Sequence, residues 1–427
     1  AIGLLAAGGA ATVGGGLALR AGARSANASL GGTTAPDTTG TGRWLGRAVV
    51  GLGVALVIGG SWQLVGGADD TGVTAGGFDL GADIASAGEP NGATGDVAAG
   101  IRSSFVAVRN GDFTDPATWG GVVPVLDDSG DSILVPQGIV VQIQAGGSVR
   151  VDDGTTRIEG RLVVLGDLRI ELDGTLDNAG SLLIGSNGRV RLQDNGSLTS
   201  GGHIENWGRL DLIGGSFEIV GGTVDNVGTM QRWAGVVPKV TAGVVTNRGL
   251  IDNAFGPFMV ISPGTLINAD TGSIELGSGT GSALELHACQ GCPVRESVNR
   301  GGISGGIVTV SGSRLVNEGS MSDVSIMRQR LGSADGPAGY VENSGTIDGA
   351  VFVVSGDLVN GSDGLVESHR IEIRLRSTFE NAGRVISSSI VNRGSLLARC
   401  GGIVVLEDPT GFEGNPVENA CIGISTD

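Results

Sequence analysis

A short motif, Asn-x-Gly-x-aliphatic, recurs along this chain and restricts its fold more than any other feature. Its asparagines are Asn178, Asn206, Asn226, Asn247, Asn317, Asn343, Asn381 and Asn392, with looser forms at Asn268 and Asn360. From Asn206 to Asn268 the motif advances along the chain in steps of 20, 21 and 21, and the step from Asn360 to Asn381 is again 21. A period of this length predicts one turn of a parallel β-helix per repeat.

Each residue type in the motif has a physical reason to recur. Asparagine tolerates the left-handed conformation at a corner, and stacked asparagine side chains can hydrogen-bond along the axis in a ladder. The glycine admits a tight turn, and the aliphatic residue points into the coil. Steps of 28, 49, 26, 17 and 11 occur elsewhere in the series. They predict insertions, or turns in which the asparagine is replaced, and functional loops are expected there.

The sequence around the repeats indicates an all-β chain. Apolar and polar residues alternate from Val106 onward, and the alternation persists after Gly138 with turns every few residues. The chain has 80 glycines in 427 residues and few aromatic residues, which argues against a core built on Phe, Tyr and Trp. We therefore predict a right-handed parallel β-helix over residues 146–398, in preference to a β-sandwich. Stacking of turns supplies its core, and its ends need caps.

Residues 1–67 form a separate, apolar segment, which we expect to be helical. Ala1–Leu19 and Ala48–Gly67 are uncharged stretches of roughly bilayer length, with the segment's four arginines between them or at their inner ends. The segment is interpreted as a pair of membrane spans, an internal secretory signal or an assembly element. The first two alternatives export the rest of the chain, by the positive-inside tendency or by secretion. Residues 68–110, rich in Ala, Gly, Asp and Thr, are predicted to be a linker.

A distinctive stretch, "DPATWGG" followed by "SGDSILVPQG", precedes the regular alternation. We predict that residues 111–145 cap the helix: Trp119 covers the open end of the first coil, Pro124 and Pro136 block edge pairing, and Asp131 closes a turn before Gly138. The stretch resembles a G8 domain over about residues 105–230, and also resembles the segment ahead of many bacterial surface β-helices of the adhesin type. The G8 resemblance implies an extracellular module, associated in animals with hyaluronan binding or cleavage.

The charge of the chain bears on its partners. The formal net charge is −17, and 44 acidic residues face 27 Lys and Arg. Such a chain does not suit nucleic acid, because phosphate binding needs clustered cations. Solvation is the favoured explanation for the acids. Calcium is the cation that they would attract, and no other cofactor is predicted.

Four cysteines, Cys289, Cys292, Cys400 and Cys421, are the most informative reactive residues. An even number in an exported chain favours two disulfides. Cys289–Cys292 would pin an inserted loop, and Cys400–Cys421 would staple a C-terminal cap over residues 399–427. A zinc site formed by the same four residues is the less favoured alternative, and pairings across the two halves stay open.

The predicted function is structural or adhesive: an extracellular or cell-surface protein that binds glycans or copies of itself, in filaments or arrays, with residues 1–67 as its membrane contact. The alternative is a polysaccharide lyase or hydrolase on the same fold, which needs converging carboxylates. Candidates for that role are Asp127, Asp128, Asp131, Asp152, Asp153, Glu275, Glu285 and His287. None repeats at the spacing of the turns, so no catalytic residue is assigned.

Overall fold

The computed structural model describes residues 105–124, 131–233, 236–253, 256–261, 263–277, 283–289, 291–329, 338–353 and 356–419. The predicted N-terminal segment 1–67 and linker residues 68–104 lie outside this range. Within it, no helix is long and apolar enough to cross a membrane. The only helix of the described residues is a short 3₁₀ helix, Pro116–Trp119.

The rest of the regular structure is β-strand. The strands are β1 (Phe105–Val106), β2 (Gly111–Asp112), β3 (Ser132–Val135), β4 (Val140–Ile143), β5 (Ser148–Asp152), β6 (Thr155–Ile158), β7 (Arg161–Val164), β8 (Asp167–Glu171), β9 (Thr175–Asn178), β10 (Ser181–Ile184), β11 (Arg189–Leu192), β12 (Ser197–Ser200), β13 (His203–Asn206), β14 (Arg209–Leu212), β15 (Ser216–Asn226), β16 (Thr229–Arg232), β17 (Lys239–Asn247), β18 (Leu250–Asn253), β19 (Pro257–Ile261), β20 (Thr265–Asn268), β21 (Ser273–Leu276), β22 (Ala283–His287), β23 (Glu296–Asn299), β24 (Gly302–Ser304), β25 (Ile307–Ser311), β26 (Arg314–Asn317), β27 (Ser320–Gln329), β28 (Gly339–Asn343), β29 (Thr346–Val353), β30 (Gly356–Asn360), β31 (Leu365–Ser368), β32 (Ile371–Ile373), β33 (Ser377–Asn381), β34 (Arg384–Ser387), β35 (Ile390–Asn392), β36 (Ser395–Ala398), β37 (Ile403–Leu406), β38 (Phe412–Gly414) and β39 (Val417–Asn419).

All of these strands pair in parallel, and each pairs with strands one turn away in the chain. Sheet 1 contains β1, β3, β6, β9, β12, β19, β22, β25, β32, β35 and β38. Sheet 2 contains β2, β4, β7, β10, β13, β20, β23, β26, β28, β30, β33, β36 and β39, and sheet 3 contains β5, β8, β11, β14, β16, β18, β21, β24, β31, β34 and β37. Strands β15 and β17 bend from sheet 1 into sheet 2, and β27 and β29 bend from sheet 3 into sheet 1. The result is the predicted parallel β-solenoid, with about 13 turns; its right-handed sense stays a prediction.

The core is a set of columns of aliphatic side chains inside the three sheets. In sheet 2, Leu162, Leu182, Ile204, Val224 and Val245 lie directly above one another in register. Each is at most 2% exposed. Burying one such side chain stabilises the fold by roughly 1.5–3 kcal/mol. The alternation of apolar and polar residues therefore places one apolar side chain of this column in each of these turns.

A second inward column of sheet 2 is polar, and it contains nine stacked asparagines: Asn206, Asn226, Asn247, Asn268, Asn299, Asn317, Asn343, Asn360 and Asn381. Each side-chain amide donates to the Oδ1 of the next asparagine at 2.7–2.8 Å, in eight consecutive bonds. Each also donates to a backbone carbonyl one turn on, as Asn206 does to Thr229 O at 3.1 Å. The column is a fully buried, one-directional ladder.

The backbone at the corners explains the motif differently from the sequence-based expectation. None of the ladder asparagines has a positive φ, so the left-handed conformation is not why asparagine recurs. Glycine recurs because of crowding: a Cβ at Gly228 would collide with the carbonyl of Gly208 one turn earlier. The Asn206 carbonyl accepts the N–H groups of both Val227 and Gly228 at 2.8 Å, which brings the two corners together.

Two predicted ladder members lie in another column, and one true member was not predicted. Asn178 and Asn392 belong to sheet 1, where Asn178 donates to Ser200 Oγ at 2.9 Å and Asn392 donates to Asn415 O at 2.8 Å. Asn299 completes the ladder between Asn268 and Asn317, with steps of 31 and 18 along the chain. The irregular steps from Asn178 to Asn206 and from Asn381 to Asn392 arose because each joined asparagines of different sheets.

The ends of the solenoid extend beyond the predicted boundaries. Strand β1 lies inside the predicted linker 68–110 and pairs with β3. Strands β37, β38 and β39 lie inside the predicted C-terminal cap 399–427 and continue the three sheets. Within the described part of the chain, each of these three strands pairs with a single other strand.

The ladder predicts a difference between interior and terminal asparagines. Asn247→Leu would leave one N–H of the Asn226 amide without its acceptor and Asn268 Oδ1 without a donor, at about 1–3 kcal/mol for each buried group. Asn206→Leu only shortens the ladder. It removes the unpaired Oδ1 of Asn206 and leaves the Oδ1 of Asn226 unpaired instead, so the number of unpaired carbonyls does not change. In urea denaturation, we expect Asn247→Leu to lower the free energy of unfolding by about 2 kcal/mol or more beyond the loss for Asn206→Leu. Equal losses would contradict a continuous ladder.

Candidate functional site

Two aromatic side chains pack together near the first strands of the solenoid. Trp119, at the end of the 3₁₀ helix, is buried against Phe113, with ring centroids 5.1 Å apart in an edge-to-face arrangement. Its Nε1 donates to Phe113 O at 2.8 Å. Thr118 is fully buried and donates to Asp112 O at 2.8 Å. Trp119 and Phe113 belong to the buried hydrophobic cluster that continues into the solenoid, and the capping role of Trp119 stays a prediction.

The other predicted cap residues lie around the start of the second turn. Pro124 is buried, and Asp131 immediately precedes β3, where its carbonyl accepts the Thr155 N–H at 3.0 Å. Pro136 O accepts the Ile139 N–H at 3.1 Å across a tight turn, with Gly138 at φ +80°. This positive φ requires glycine at the third turn position.

The three described cysteines are disulfide-bonded. Cys289 and Cys292 form a disulfide with Cα atoms 5.3 Å apart, inside the inserted loop between β22 and β23. Cys400 is also disulfide-bonded, and its predicted partner Cys421 lies outside the described residues. Within the described ranges, no group of three His, Cys, Asp or Glu residues is arranged to hold a metal ion. Disulfide formation removes Cys289 and Cys292 as thiolate ligands for the zinc alternative.

The most distinctive surface lies on the outer face of sheet 2, at three successive turns. We call it the tryptophan patch, and it consists of His203, Glu205, Trp207, Thr223, Asp225 and Arg248. His203 and Thr223 are register partners, as are Glu205 and Asp225. Trp207 and Arg248 occupy the corner position after their ladder asparagines, two turns apart. Because neighbouring strands are about 4.8 Å apart, the patch extends about 10 Å along the axis.

Hydrogen bonds within the patch hold its side chains in place. Trp207 Nε1 donates to Glu205 Oε1 at 2.7 Å, and the indole remains 39% exposed. His203 Nδ1 and Thr223 Oγ1 are 2.7 Å apart. Arg248 forms an ion pair with Asp225, and this hydrogen bond raises the pKa of the guanidinium. The patch therefore carries one partly exposed indole on the same sheet as paired donors and acceptors of the neighbouring turns.

The outer face of sheet 3 carries a network of ion pairs along its first turns. The pairs are Arg150–Asp152 at 2.7 Å, Arg150–Glu171 at 3.0 Å, Arg169–Asp167 at 2.7 Å, Arg191–Asp167 at 2.9 Å, Arg209–Asp211 at 2.5 Å and Arg189–Asp211. Several of them join successive turns, and the Asp211 side chain is completely buried between two arginines. The network stabilises the stacking of turns, and its charges largely cancel.

A shallow acidic pocket of about 190 Å³ lies farther along sheet 3. Asp348 and Glu367 are register partners on adjacent strands, and His369 and Glu407 also line the pocket. Because adjacent strands are about 4.8 Å apart, the two carboxyl-bearing residues lie one strand apart at the wall of the same pocket. The sequence does not reveal this group, because its acidic members belong to different turns and meet only through stacking.

The acids considered from sequence do not converge in this way. Glu275 lies on sheet 3, whereas Glu285 and His287 lie on sheet 1 at 3.1 Å from each other. Asp152 is paired with Arg150, and Asp153 occupies a turn at φ +49°. Asp127 and Asp128 lie outside the described residues.

Comparison with known proteins leaves the family of the chain open. No family model matches the chain. A search of curated proteins also found no match. Among solved structures, the chain is similar to "Crystal structure of TibC-catalyzed hyper-glycosylated TibA55-350 fragment", with 19% identity, 73% of this chain and 93% of that chain covered, and a TM-score of 0.27. The G8 resemblance stays a prediction.

One ion-pair group on sheet 1 makes stability depend on pH. Glu372, with a side chain 12% exposed, contacts Arg374 at 3.0 Å and Arg370 at 3.1 Å. Burial opposes its ionisation, but hydrogen bonds and charges from Arg374 and Arg370 outweigh burial, so its pKa lies below the ordinary 4.5. A lowered folded-state pKa stabilises the protein above pH 4.5, and this contribution is lost as the pH falls through the folded value.

Glu372→Gln should therefore cost about 1 kcal/mol at pH 7 and much less below the folded-state pKa. The measurement is urea denaturation across that pH range. Glu318→Gln, at an exposed pair with Arg300 (2.8 Å), is the control and should change the unfolding free energy little. A loss for Glu372→Gln that does not depend on pH would contradict the lowered pKa.

Proposed function

We propose that this chain is a cell-surface or secreted adhesive solenoid that binds glycans through the tryptophan patch. The observation that carries the proposal is a partly exposed indole on a rigid sheet that also carries paired hydrogen-bonding groups. An aromatic ring of fixed orientation binds well, because little conformational entropy is lost when the ligand arrives. Trp207 meets this condition, because Glu205 anchors its Nε1.

Sugar chemistry matches the composition of the patch. The C–H groups on one face of a pyranose ring carry slight positive charge, which suits the negative face of an indole. The hydroxyl groups around the ring need both donors and acceptors, and Arg248, His203, Thr223 and Asp225 supply them. Since the patch contains both signs of charge in an ion pair, it suits a neutral sugar better than a strongly anionic one.

Display outside the cell agrees with the rest of the chain. A stack of about 13 turns is rigid, and its acidic surface keeps copies apart in solution. Disulfides, as at Cys289–Cys292, are typical of oxidising compartments. In this proposal the apolar residues 1–67 contact the membrane, either as spans or as a signal. Calcium would then be an optional partner of the surface acids.

Contact with other copies is the second part of the proposal. Trp119 is the predicted cap of the N-terminal end, whereas β37 and β38 have a strand partner on one side only among the described residues. Ile403 on β37 is 55% exposed, so this end presents apolar surface beside a strand edge. Unprotected edges of this kind favour association with another β-strand. Residues 1–67 would supply a further subunit contact.

A polysaccharide-cleaving enzyme is the alternative, and the acidic pocket favours it. Asp348 and Glu367 lie on adjacent strands at one pocket, and a retaining mechanism would use one carboxylate as nucleophile and the other as acid and base. The two candidate functions use different surfaces, sheet 2 for binding and sheet 3 for cleavage. They can therefore be tested separately in the same experiment.

We expect Trp207→Ala to lower glycan affinity about tenfold or more, as measured on a glycan array and then by calorimetry with the best ligand. The corner position accepts alanine, since Ala382 occupies the equivalent position after Asn381 in the same ladder. Trp233→Ala is the matched control, because Trp233 is 46% exposed but lies outside the patch. Absence of glycan binding by the wild type, or equal losses for both variants, would contradict the proposal.

The recovered glycans also test the alternative. We expect them to be intact after incubation with the wild type, as judged by mass spectrometry. Shortened chains that disappear with Glu367→Gln would instead assign cleavage to the acidic pocket.

Self-association is tested by negative-stain electron microscopy of the chain with and without residues 1–67. We expect filaments or ordered arrays from the full chain and isolated rods after truncation. Isolated rods in both samples would remove self-assembly from the proposal, while leaving glycan binding intact.

A further inference from the structure

Two aliphatic side chains on the outer face of sheet 2 are almost completely buried. On β7, Leu162 and Val164 belong to the core, so Val163 between them points outward. Leu183 is its register partner on β10 and points outward in the same way. Val163 is 1% exposed and Leu183 is 3% exposed, although neither belongs to the hydrophobic cluster that fills the solenoid. Their burial therefore comes from contacts on the outside of the sheet.

The rest of the same outward column is less buried. The column continues from Leu183 in register along the solenoid. Its later members Ile267 and Val359 are half-buried, and Val316, the most buried aliphatic residue among them, is 8% exposed. An outward position in this sheet thus does not by itself keep water away from an aliphatic side chain.

The buried area extends over three turns, and we call it the covered face: Gln142, Val163 and Leu183. Gln142 precedes Val163 in the column and is 7% exposed, whereas Glu205, which follows Leu183, is half-buried. Within the part of the chain that the structure describes, all strands belong to the solenoid, and Pro116–Trp119 is the one helix. These elements supply no second layer over the covered face. An apolar area is shielded from water most favourably by another apolar surface.

One stretch of the chain before β1 has a sequence that suits this face. It reads "FDLGADI" from Phe78 to Ile84, and its apolar residues occupy every second position: Phe78, Leu80, Ala82 and Ile84. In an extended strand these four side chains share one face, and Asp79 and Asp83 share the other. The stretch therefore has one apolar face to bury and one acidic face for water.

The length and the charge of the stretch also fit. Twenty residues, 85–104, connect Ile84 to β1, and they can span up to about 66 Å. Strands β7 and β10 lie two and three turns beyond β2, which is about 10–15 Å along the axis. Arg161 precedes Val163 by two residues on the same outward side of β7, and its charge is opposite to that of Asp79 and Asp83.

We propose that the covered face is a docking surface for residues 76–104 of the same chain, with the apolar side of Phe78–Ile84 packed on Val163 and Leu183. This segment then does not act as a free linker. Because Leu183 and Glu205 are register partners, the docked segment also borders the tryptophan patch. The contact itself does not depend on glycan binding.

The first test is photo-cross-linking of the full chain with p-benzoylphenylalanine in place of Ser181. Ser181 points outward two residues before Leu183 and lies at the edge of the covered face. We expect irradiation at low protein concentration, digestion and mass spectrometry to give cross-links from position 181 to residues 76–104 of the same molecule. The same probe in place of Ser395 is the control, because Ser395 belongs to the outward column of Ser181 at the other end of sheet 2, and it should give none to this segment. Cross-links from position 181 only to residues 1–75, to residues 125–130 or to a second molecule would overturn the proposal.

A double-mutant cycle in the full chain decides if the bulky probe displaces the segment. Leu183→Asp and Phe78→Asp each place a charge in the proposed contact, so once the first has broken it the second costs little more. We expect urea denaturation to show a coupling of about fivefold or more in the unfolding equilibrium constant. Ile267→Asp, in the same outward column but outside the covered face, is the control and should be additive with Phe78→Asp. Additive losses for Leu183→Asp and Phe78→Asp would refute the contact.

Discussion

The hydrogen bond between asparagine side chains of successive turns is the interaction on which this structure depends. The aliphatic columns determine which face of each strand is buried. They do not by themselves fix the register between successive turns, because Val, Leu and Ile make interchangeable contacts. A buried amide is not interchangeable in this way: displaced from its neighbour, it leaves a donor and an acceptor unpaired. Eight such bonds therefore hold nine turns in one register. These bonds therefore also determine which outward side chains of successive turns lie next to one another.

Much of the fold could be predicted because local pattern and stacking agree. Period-two alternation identified the strands, and the regular step between asparagines identified the turns. The motif does not predict which sheet each asparagine belongs to. It looks identical at the corner after sheet 1, as at Asn178, and at the corner after sheet 2, as at Asn206. Asn299 went unnoticed between two insertions, although "VNRGGI" carries the full motif. The motif shows that a corner is present. Only the strand register shows which sheet the corner follows.

The surface sites were less predictable for a related reason. Trp207 stands inside a motif, yet nothing in "ENWGRL" shows that Asp225 and Arg248 will lie beside it, because they arrive one and two turns later. The acidic pocket is assembled in the same way from Asp348, Glu367 and Glu407. In a solenoid, a site is a set of equivalent positions in consecutive turns. The sequence reveals such a site only if the residues of consecutive turns have first been aligned by their strand register.

The direction of the ladder has a consequence for how such a chain can change in length. Asn178, Asn206 and Asn392 each begin a polar column beneath an isoleucine, and each has a buried Oδ1 with no donor among the described residues. A column thus carries one unpaired carbonyl however many asparagines follow it. Duplicating an interior turn adds a complete set of bonds and no new defect, and deleting one removes a set without exposing another. The ladder therefore sets no limit on the number of turns, and its one defect stays at the first asparagine of each column.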